Sequence, residues 1–182
     1  MSGALTPADL KALVRTVPDF PAPGIQFRDI TTLIAHGCGL AATVAWLADR
    51  ARDAGAESIA GMEARGFIFG AAVAVELGVG FIPVRKPGKL PVETISVDYA
   101  LEYGIDRLEM DPQAVRNGER VMLIDDLIAT GGTACAAAQL LRKAGAEVSR
   151  GAFVIDLPEL GGAEALAAIG VECDALMDFS GH

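Results

Sequence analysis

The spacing of apolar positions changes along the chain, and the changes mark out helices and strands. Leu10, Leu13, Val14 and Val17 recur at helical spacing, with Thr6 placed to cap and Pro7 suited to a first turn. A short amphipathic helix is therefore predicted from Thr6 through Val17. Pro18, Pro21, Pro23 and Gly24 then break any period. Proline fixes φ and has no N–H for a ladder, so this stretch is predicted to be irregular. Leu40, Val44, Leu47 and Ala51 repeat at steps of four, three and four, one face of a helix ending near Gly55.

The middle and end of the chain alternate more sharply. Ser58–Met62 and Val79–Val84 are short apolar runs that predict buried strands, and Phe67–Leu77 is apolar on nearly every face, a buried helix. Residues 85–98 lose the period and hold Arg85, Lys86, Pro87, Gly88, Lys89 and Pro91. They read as a long loop entering the alternating stretch Ile95–Tyr103, which suggests a hairpin. Asn117-Gly118 is a turn signal. Beyond it the pattern predicts a strand at Val121–Ile124, a loop at Asp125–Gly132 and a helix at Thr133–Ala144. A strand at Val148–Ile155, a helix at Ala163–Ile169 and a last strand at Ala175–Phe179 follow. This alternation implies an α/β fold, a mostly parallel twisted sheet flanked by helices on both faces. Ligands of such folds bind beyond the carboxyl ends of strands, where the polar loops after Met62 and Ile124 lie.

Composition narrows the function classes. With 182 residues, 52% of them hydrophobic, the chain suits one domain with a sizeable core. The net charge of −9 disfavours non-specific binding to nucleic acid or an anionic membrane. The longest apolar run, Gly66–Val75, is ten residues, against about 20 for a bilayer span. The first residues lack the basic-then-apolar order of a signal peptide. Cys38, Cys135 and Cys173 form neither a disulfide framework nor a CxxC pattern. A reduced, cytoplasmic protein is expected. His36 and His182 are the only histidines, which disfavours histidine-centred catalysis and histidine-rich metal sites.

The strongest local signal is Val121-Met-Leu-Ile-Asp-Asp-Leu-Ile-Ala-Thr-Gly-Gly-Thr133. A buried strand meets two adjacent carboxylates, then a Thr-Gly-Gly-Thr turn opens a helix. Such a turn aims several N–H groups at one point, the helix start adds its positive end, and Thr130 and Thr133 add hydroxyls: a cradle for a phosphate monoester. Gly131 and Gly132 permit close approach of backbone to anion. Asp125 and Asp126 would repel a phosphate unless something binds between, such as a ribose diol or a Mg²⁺-bound diphosphate. The bland alternative is a strand–turn–helix with solvated aspartates. Neither GxxxxGK[ST] nor GxGxxG is present.

The string resembles the phosphoribosyl pyrophosphate motif of type I phosphoribosyltransferases. Pro18-Asp-Phe-Pro-Ala-Pro-Gly-Ile-Gln-Phe-Arg-Asp-Ile30, Glu63-Ala-Arg-Gly-Phe-Ile-Phe-Gly70, Val84-Arg-Lys-Pro-Gly-Lys-Leu-Pro91 and Tyr99-Ala-Leu-Glu-Tyr-Gly104 resemble, in order, successive motifs of the adenine phosphoribosyltransferase family. The resemblance implies a type I phosphoribosyltransferase fold in one domain spanning residues 1–182. It adds a small N-terminal hood (about 1–35) that binds the base, and a mobile catalytic loop or lid hairpin (about 85–109). It implies transfer of 5-phosphoribosyl from phosphoribosyl pyrophosphate to adenine, giving AMP and pyrophosphate. An oxocarbenium-like transition state, Mg²⁺ held mainly by substrate and water, and a homodimer are also implied.

By the same resemblance, Glu63, Ala64 and Arg65 hold pyrophosphate in a tight loop, with the Glu63–Ala64 bond cis. Lys86 and Lys89, with Arg85, recruit and clamp it. Glu102 handles a purine proton and Tyr103 reaches phosphate or the pocket. Phe27 stacks on adenine, with Leu157 a weaker candidate for the other face. Arg28 meets the base edge by its main chain and offers its side chain to a dimer contact. Asp125 and Asp126 take the ribose hydroxyls, and Ala129, Thr130, Gly131, Gly132 and Thr133 take the phosphate. Hypoxanthine–guanine enzymes carry a carboxylate where Ala129 stands, which favours adenine. A regulatory sensor of the same ligand would need a basic face that a charge of −9 leaves little room for. A hydrolase built on Cys135 would need a histidine partner, and neither histidine sits in such a motif.

Overall fold

A computed structural model of the chain describes residues 5–101 and 104–181. Its central sheet has five parallel strands. They are β3 (Ser58–Met62), β4 (Gly80–Val84), β7 (Val121–Ile128), β8 (Arg150–Asp156) and β9 (Glu172–Asp178), ordered β4-β3-β7-β8-β9. The order reverses between β3 and β7. Chains leaving those two strands diverge, and a crevice opens at their carboxyl ends.

Helices cover both faces. α1 (Pro7–Ala12), α3 (Gly37–Asp53) and α4 (Gly66–Leu77) enclose one core with Leu47, Phe69, Val73, Ile124 and Val154. α5 (Gly132–Lys143) and α6 (Gly162–Ala168) enclose the other with Leu123, Leu140, Phe153 and Leu166. A hairpin of β5 (Ile95–Leu101) and β6 (Gly104–Met110) packs on α5 and buries Leu108 and Met110. The α/β expectation holds.

The structure departs from the predicted pattern around the first helix, in the buried face of α3 and in β7, each for a physical reason. The predicted first helix stops at Ala12, after a capping box in which Thr6 and Asp9 bond each other's backbone N–H. The chain then forms β1 (Arg15–Pro18), which pairs with β2 (Gln26–Asp29) and is pinned by an Arg15–Asp29 ion pair. Residues 19–25, rich in proline and glycine, are irregular as read; the strands lie on either side of them, β1 in place of the end of the predicted helix, and β2 leads into a short α2 (Thr31–Ala35). In α3 the buried positions are Gly39, Thr43, Leu47, Ala48 and Ala51, and Leu40 and Val44 are half-buried. Thr43 turns inward because its hydroxyl donates to the Gly39 carbonyl at 2.9 Å. Finally, β7 runs on through Asp125 and Asp126 to Ile128, held by pairing of Asp125 with Phe153 and Leu127 with Ile155. The two carboxylates stand on the strand, not in a loop.

Candidate active site

Both diverging loops at the crevice end in helices. β3 passes through Glu63, Ala64 and Arg65 into α4, and the Glu63–Ala64 peptide is cis. Gly66 lets this turn sit against β7: a Cβ there would lie 2.7 Å from Asp125 Oδ1 and 3.0 Å from the Ile124 carbonyl oxygen. β7 passes through Ala129 and Thr130 into α5, with Gly131 at φ +82°, a left-handed turn natural to glycine. The turn brings the first N–H groups of a 12-residue helix to face the crevice.

A cavity of about 360 Å³ fills the space between. Glu63, Ala64, Arg65, Lys86, Asp125, Asp126, Ala129, Thr130, Gly131, Gly132 and Thr133, all picked from sequence, line it, while Phe27, Arg28 and Lys89 do not. Leu127, Ile128 and Ala134 also line it and carry no chemical signature that would have marked them. A second cavity, of about 390 Å³, is lined by Phe27, Arg28, Ile34 and Ile68, and again by Arg65. Arg65 is the wall the two share. Its Nε donates to Asp126 Oδ2 at 2.5 Å, and its guanidinium lies 5.9 Å from the Phe27 ring centre.

Both signs of charge line the first cavity. Asp126 is buried and faces Arg65. Burial, and then the neighbouring Asp126 charge, push the Asp125 carboxyl well above the usual carboxylate range. Glu63 is held below its usual range, first by the Lys86 backbone N–H at 3.0 Å and then by Arg85 at 3.3 Å. Arg85 NH1 donates to the Lys89 carbonyl at 3.0 Å. Lys89 lines neither cavity.

The hairpin reaches the site through two groups that sequence reasoning did not single out. Lys86 Nζ donates to Tyr99 Oη at 3.1 Å and pairs with Asp106. Tyr99 Oη donates to Asp106 at 2.9 Å and accepts from Thr133 Oγ1 at 3.3 Å. Burial depresses the Lys86 ammonium, but its bonds to Asp106 and Tyr99 outweigh that and raise it overall. Tyr99 and Asp106 are opposite each other across the hairpin. Only strand register, which the alternating pattern does not supply, could have paired them. Glu102 and Tyr103 lie outside the described residues.

Arg28 lines the second cavity and is bonded at its far end. Its side chain turns to the end of the chain and donates to the Ser180 and Gly181 carbonyls at 2.7 and 3.2 Å. Its backbone belongs to a regular strand, β2, which pairs only with β1 among the described residues and so keeps one edge free.

A phosphoribosyl transferase domain model matches residues 36–174. The adenine phosphoribosyltransferase of Erythrobacter litoralis is 71% identical over 98% of this chain and all of that protein. The chain belongs to the adenine phosphoribosyltransferase family. The crystal structure of adenine phosphoribosyltransferase from Thermoanaerobacter pseudethanolicus superimposes with a TM-score of 0.91 at 44% identity, covering 96% of this chain and 100% of that one. That of Giardia lamblia, complexed with 9-deazaadenine, gives 0.90 at 31% identity over 96% and 98%. An adenine phosphoribosyltransferase joins adenine to the phosphoribosyl group of phosphoribosyl pyrophosphate, a purine-salvage reaction, and that is this chain's activity. An adenine phosphoribosyltransferase needs an anion cradle, a sugar site and a flat base site in a row. The two cavities adjoin, with Arg65 lining both.

Proposed function

We propose that the two cavities divide the substrates: phosphoribosyl pyrophosphate in the first, adenine in the second, with the anomeric carbon near Arg65. The observation that carries this is the shared wall, since Arg65 lines both spaces. The 5-phosphate takes the N–H groups and hydroxyls of Ala129–Thr133. Asp125 and Asp126 accept from the ribose hydroxyls. Pyrophosphate takes the Glu63–Arg65 turn and Lys86, so the leaving group departs into positive charge. Arg65 must release Asp126 to do this, exchanging one anion for another.

Adenine lies against Phe27, and Leu157 is the candidate for its other face. The free edge of β2 at Phe27 and Arg28 offers main-chain groups to the base edge. Bond breaking at the anomeric carbon builds an oxocarbenium-like centre, so water must be excluded. The loop and hairpin over residues 85–109 serve as the lid, bringing Glu102 and Tyr103 to the base and phosphate.

Mg²⁺ fits this arrangement as an ion carried by the substrate. Among the described residues no three His, Cys, Asp or Glu groups form a metal cluster, while two carboxylates stand beside the anion cradle. The ion would neutralise pyrophosphate charge, with Asp125 and Asp126 acting through ribose oxygens and water. The chain pairs with a second copy through the apolar outer face of α4, whose Val75 is exposed, and acts in the cytoplasm. Among the described residues no helix is long and apolar enough to cross a membrane.

A variant pair tests the division. Thr133→Val should raise KM for phosphoribosyl pyrophosphate about tenfold and leave KM for adenine within about twofold. Phe27→Ala should do the reverse. Equal movement of both constants in either variant removes the two-cavity assignment. A product assay with adenine, hypoxanthine, guanine and xanthine checks the base choice, with AMP from adenine the expected product.

A further inference from the structure

The segment after β9 bonds two separate parts of the chain, the strand β2, whose Phe27 and Arg28 line the second cavity, and the turn after the buried Leu157. The Phe179 N–H donates to the Asp156 carbonyl at 3.0 Å, which carries the segment past the end of β8. The Ser180 and Gly181 carbonyls then accept from Arg28 NH2 at 2.7 and 3.2 Å. The Gly181 N–H donates to Glu159 Oε2 at 3.2 Å. Arg28 follows Phe27 on β2, and Glu159 lies two residues past Leu157 in a 3-10 turn, Pro158–Leu160. One short segment therefore bonds the strand carrying Phe27 and the turn following Leu157.

The ring of Phe179 adds a second tie. Lys11 Nζ lies 4.8 Å and the Arg28 guanidinium 4.9 Å from its centre. Lys11 also pairs with Asp178 at 3.7 Å, and Arg28 NH1 donates to Thr16 Oγ1 at 2.7 Å. Through these contacts α1, β1 and β2 are all fastened to the end of the chain. A two-stranded ribbon such as β1–β2 is not stable on its own. Its position over the sheet depends on side-chain ties of this kind.

We propose that Phe179–Gly181 is a clasp that positions the adenine pocket, fixing the hood strand bearing Phe27 relative to the turn after Leu157. The proposal rests on the reading of Phe27 and Leu157 as the two faces of the base site. A flat ring gains from stacking only when both faces are held at van der Waals contact, so a looser clasp weakens adenine binding and spares the anion cradle. These are positioning residues; none of them touches the reacting atoms.

The test uses the full enzyme with four changes: Phe179→Ala, Phe179→Tyr, a chain lacking residues 180–182, and Phe27→Ala. Phe179→Ala and the shortened chain should each raise KM for adenine about five- to tenfold, with kcat and KM for phosphoribosyl pyrophosphate within about twofold. Phe179→Tyr keeps a ring between the two cations and should restore the adenine constant. The clasp is overturned if KM for adenine stays put in both clasp variants, or if both KM values rise together with a fall in Tm. The control separates the failures. Should Phe27→Ala raise KM for adenine while Phe179→Ala and the shortened chain do not, the clasp alone is wrong. Should Phe27→Ala leave it unchanged, the base-pocket reading is wrong and the clasp falls with it.

Discussion

At the scale of single residues, contacts too close for an added methyl set the shape of the anion cradle. A Cβ on Gly162 would lie 2.3 Å from the Ala129 carbonyl oxygen and 3.0 Å from the Gly131 nitrogen. Both neighbours are backbone and cannot swing aside, so Gly162→Ala must move the loop itself. KM for phosphoribosyl pyrophosphate should rise more than about tenfold while far-ultraviolet circular dichroism stays native, since a misplacement of the order of 1 Å costs that much or more. Asp125 makes the opposite trade. A carboxyl whose pKa is raised on folding holds its proton more tightly in the native state. The native state therefore loses stability as pH rises from the unfolded carboxylate value, about 4, through the folded value. Asp125→Asn has no proton to lose there, and its Oδ1 can still accept the Asp126 N–H that Asp125 accepts at 2.8 Å. Without ligand its Tm at neutral pH should exceed the wild type by about 2–4 °C, the shift produced by about 1 kcal/mol in a chain this size. A calorimetric series from acid to neutral pH should show the two curves converging as pH falls. KM for phosphoribosyl pyrophosphate should rise in the same variant, because an amide nitrogen, which cannot accept, replaces one of the two oxygens facing the ribose hydroxyls.

At the scale of elements, the hairpin is joined to the site by one phenol. Tyr99 Oη donates once and accepts twice, to Asp106, from Lys86 and from Thr133, which uses its full hydrogen-bonding capacity. Tyr99→Phe leaves the ring packed on the α5 side and removes all three bonds. Amide exchange over β5 and β6 should quicken by about fivefold, with KM for phosphoribosyl pyrophosphate rising as Lys86 and Thr133 lose their common partner. Unchanged exchange would mean that packing of Leu108 and Met110 alone holds the hairpin. The same element shows where sequence reading stops. β3, β4 and α4 were legible because short apolar runs bounded by charged residues or glycine have few alternatives. The cradle was legible because its residues are contiguous from Ala129 to Thr133. β1 and β2 were not, since four-residue half-exposed strands exist only through each other. The second half of β7 was masked by Asp125 and Asp126, which interrupt the apolar run although pairing with β8 continues. Tyr99 with Asp106, and Glu63 with Arg85, are joined only by register and chain crossing, and no spacing rule marks such pairs.

At the scale of the molecule, a net charge of −9 coexists with a cavity that must hold the most anionic partner of the reaction. Arg65 and Lys86 line that cavity, and Arg85 is tied beside it through Glu63. These cations stand beside Glu63, Asp125 and Asp126, so an incoming polyanion is met by ion pairs that can exchange partners rather than by bare positive charge. α4 begins beside this centre, at Gly66 directly after Arg65, and leads away from it with an apolar outer face. Val75 is 83% exposed, an expensive display for a helix whose opposite side already fills the core. Covering that face with the same face of a second copy gives a two-fold contact, the commonest closed arrangement. It would also set the partner next to the pyrophosphate end of the cavity. Sedimentation of the wild type at micromolar concentration should give twice the chain mass. Val75→Glu, which places a charge at the most exposed point of the face, should give the chain mass itself with an unchanged circular dichroism spectrum. A wild-type monomer, or a Val75→Glu dimer of undiminished affinity, would move the contact off α4. If the dimer is needed for the site, the monomeric variant should also lose kcat/KM for phosphoribosyl pyrophosphate more than for adenine. Pairing would then complete the anion end of the reaction rather than merely bury apolar surface.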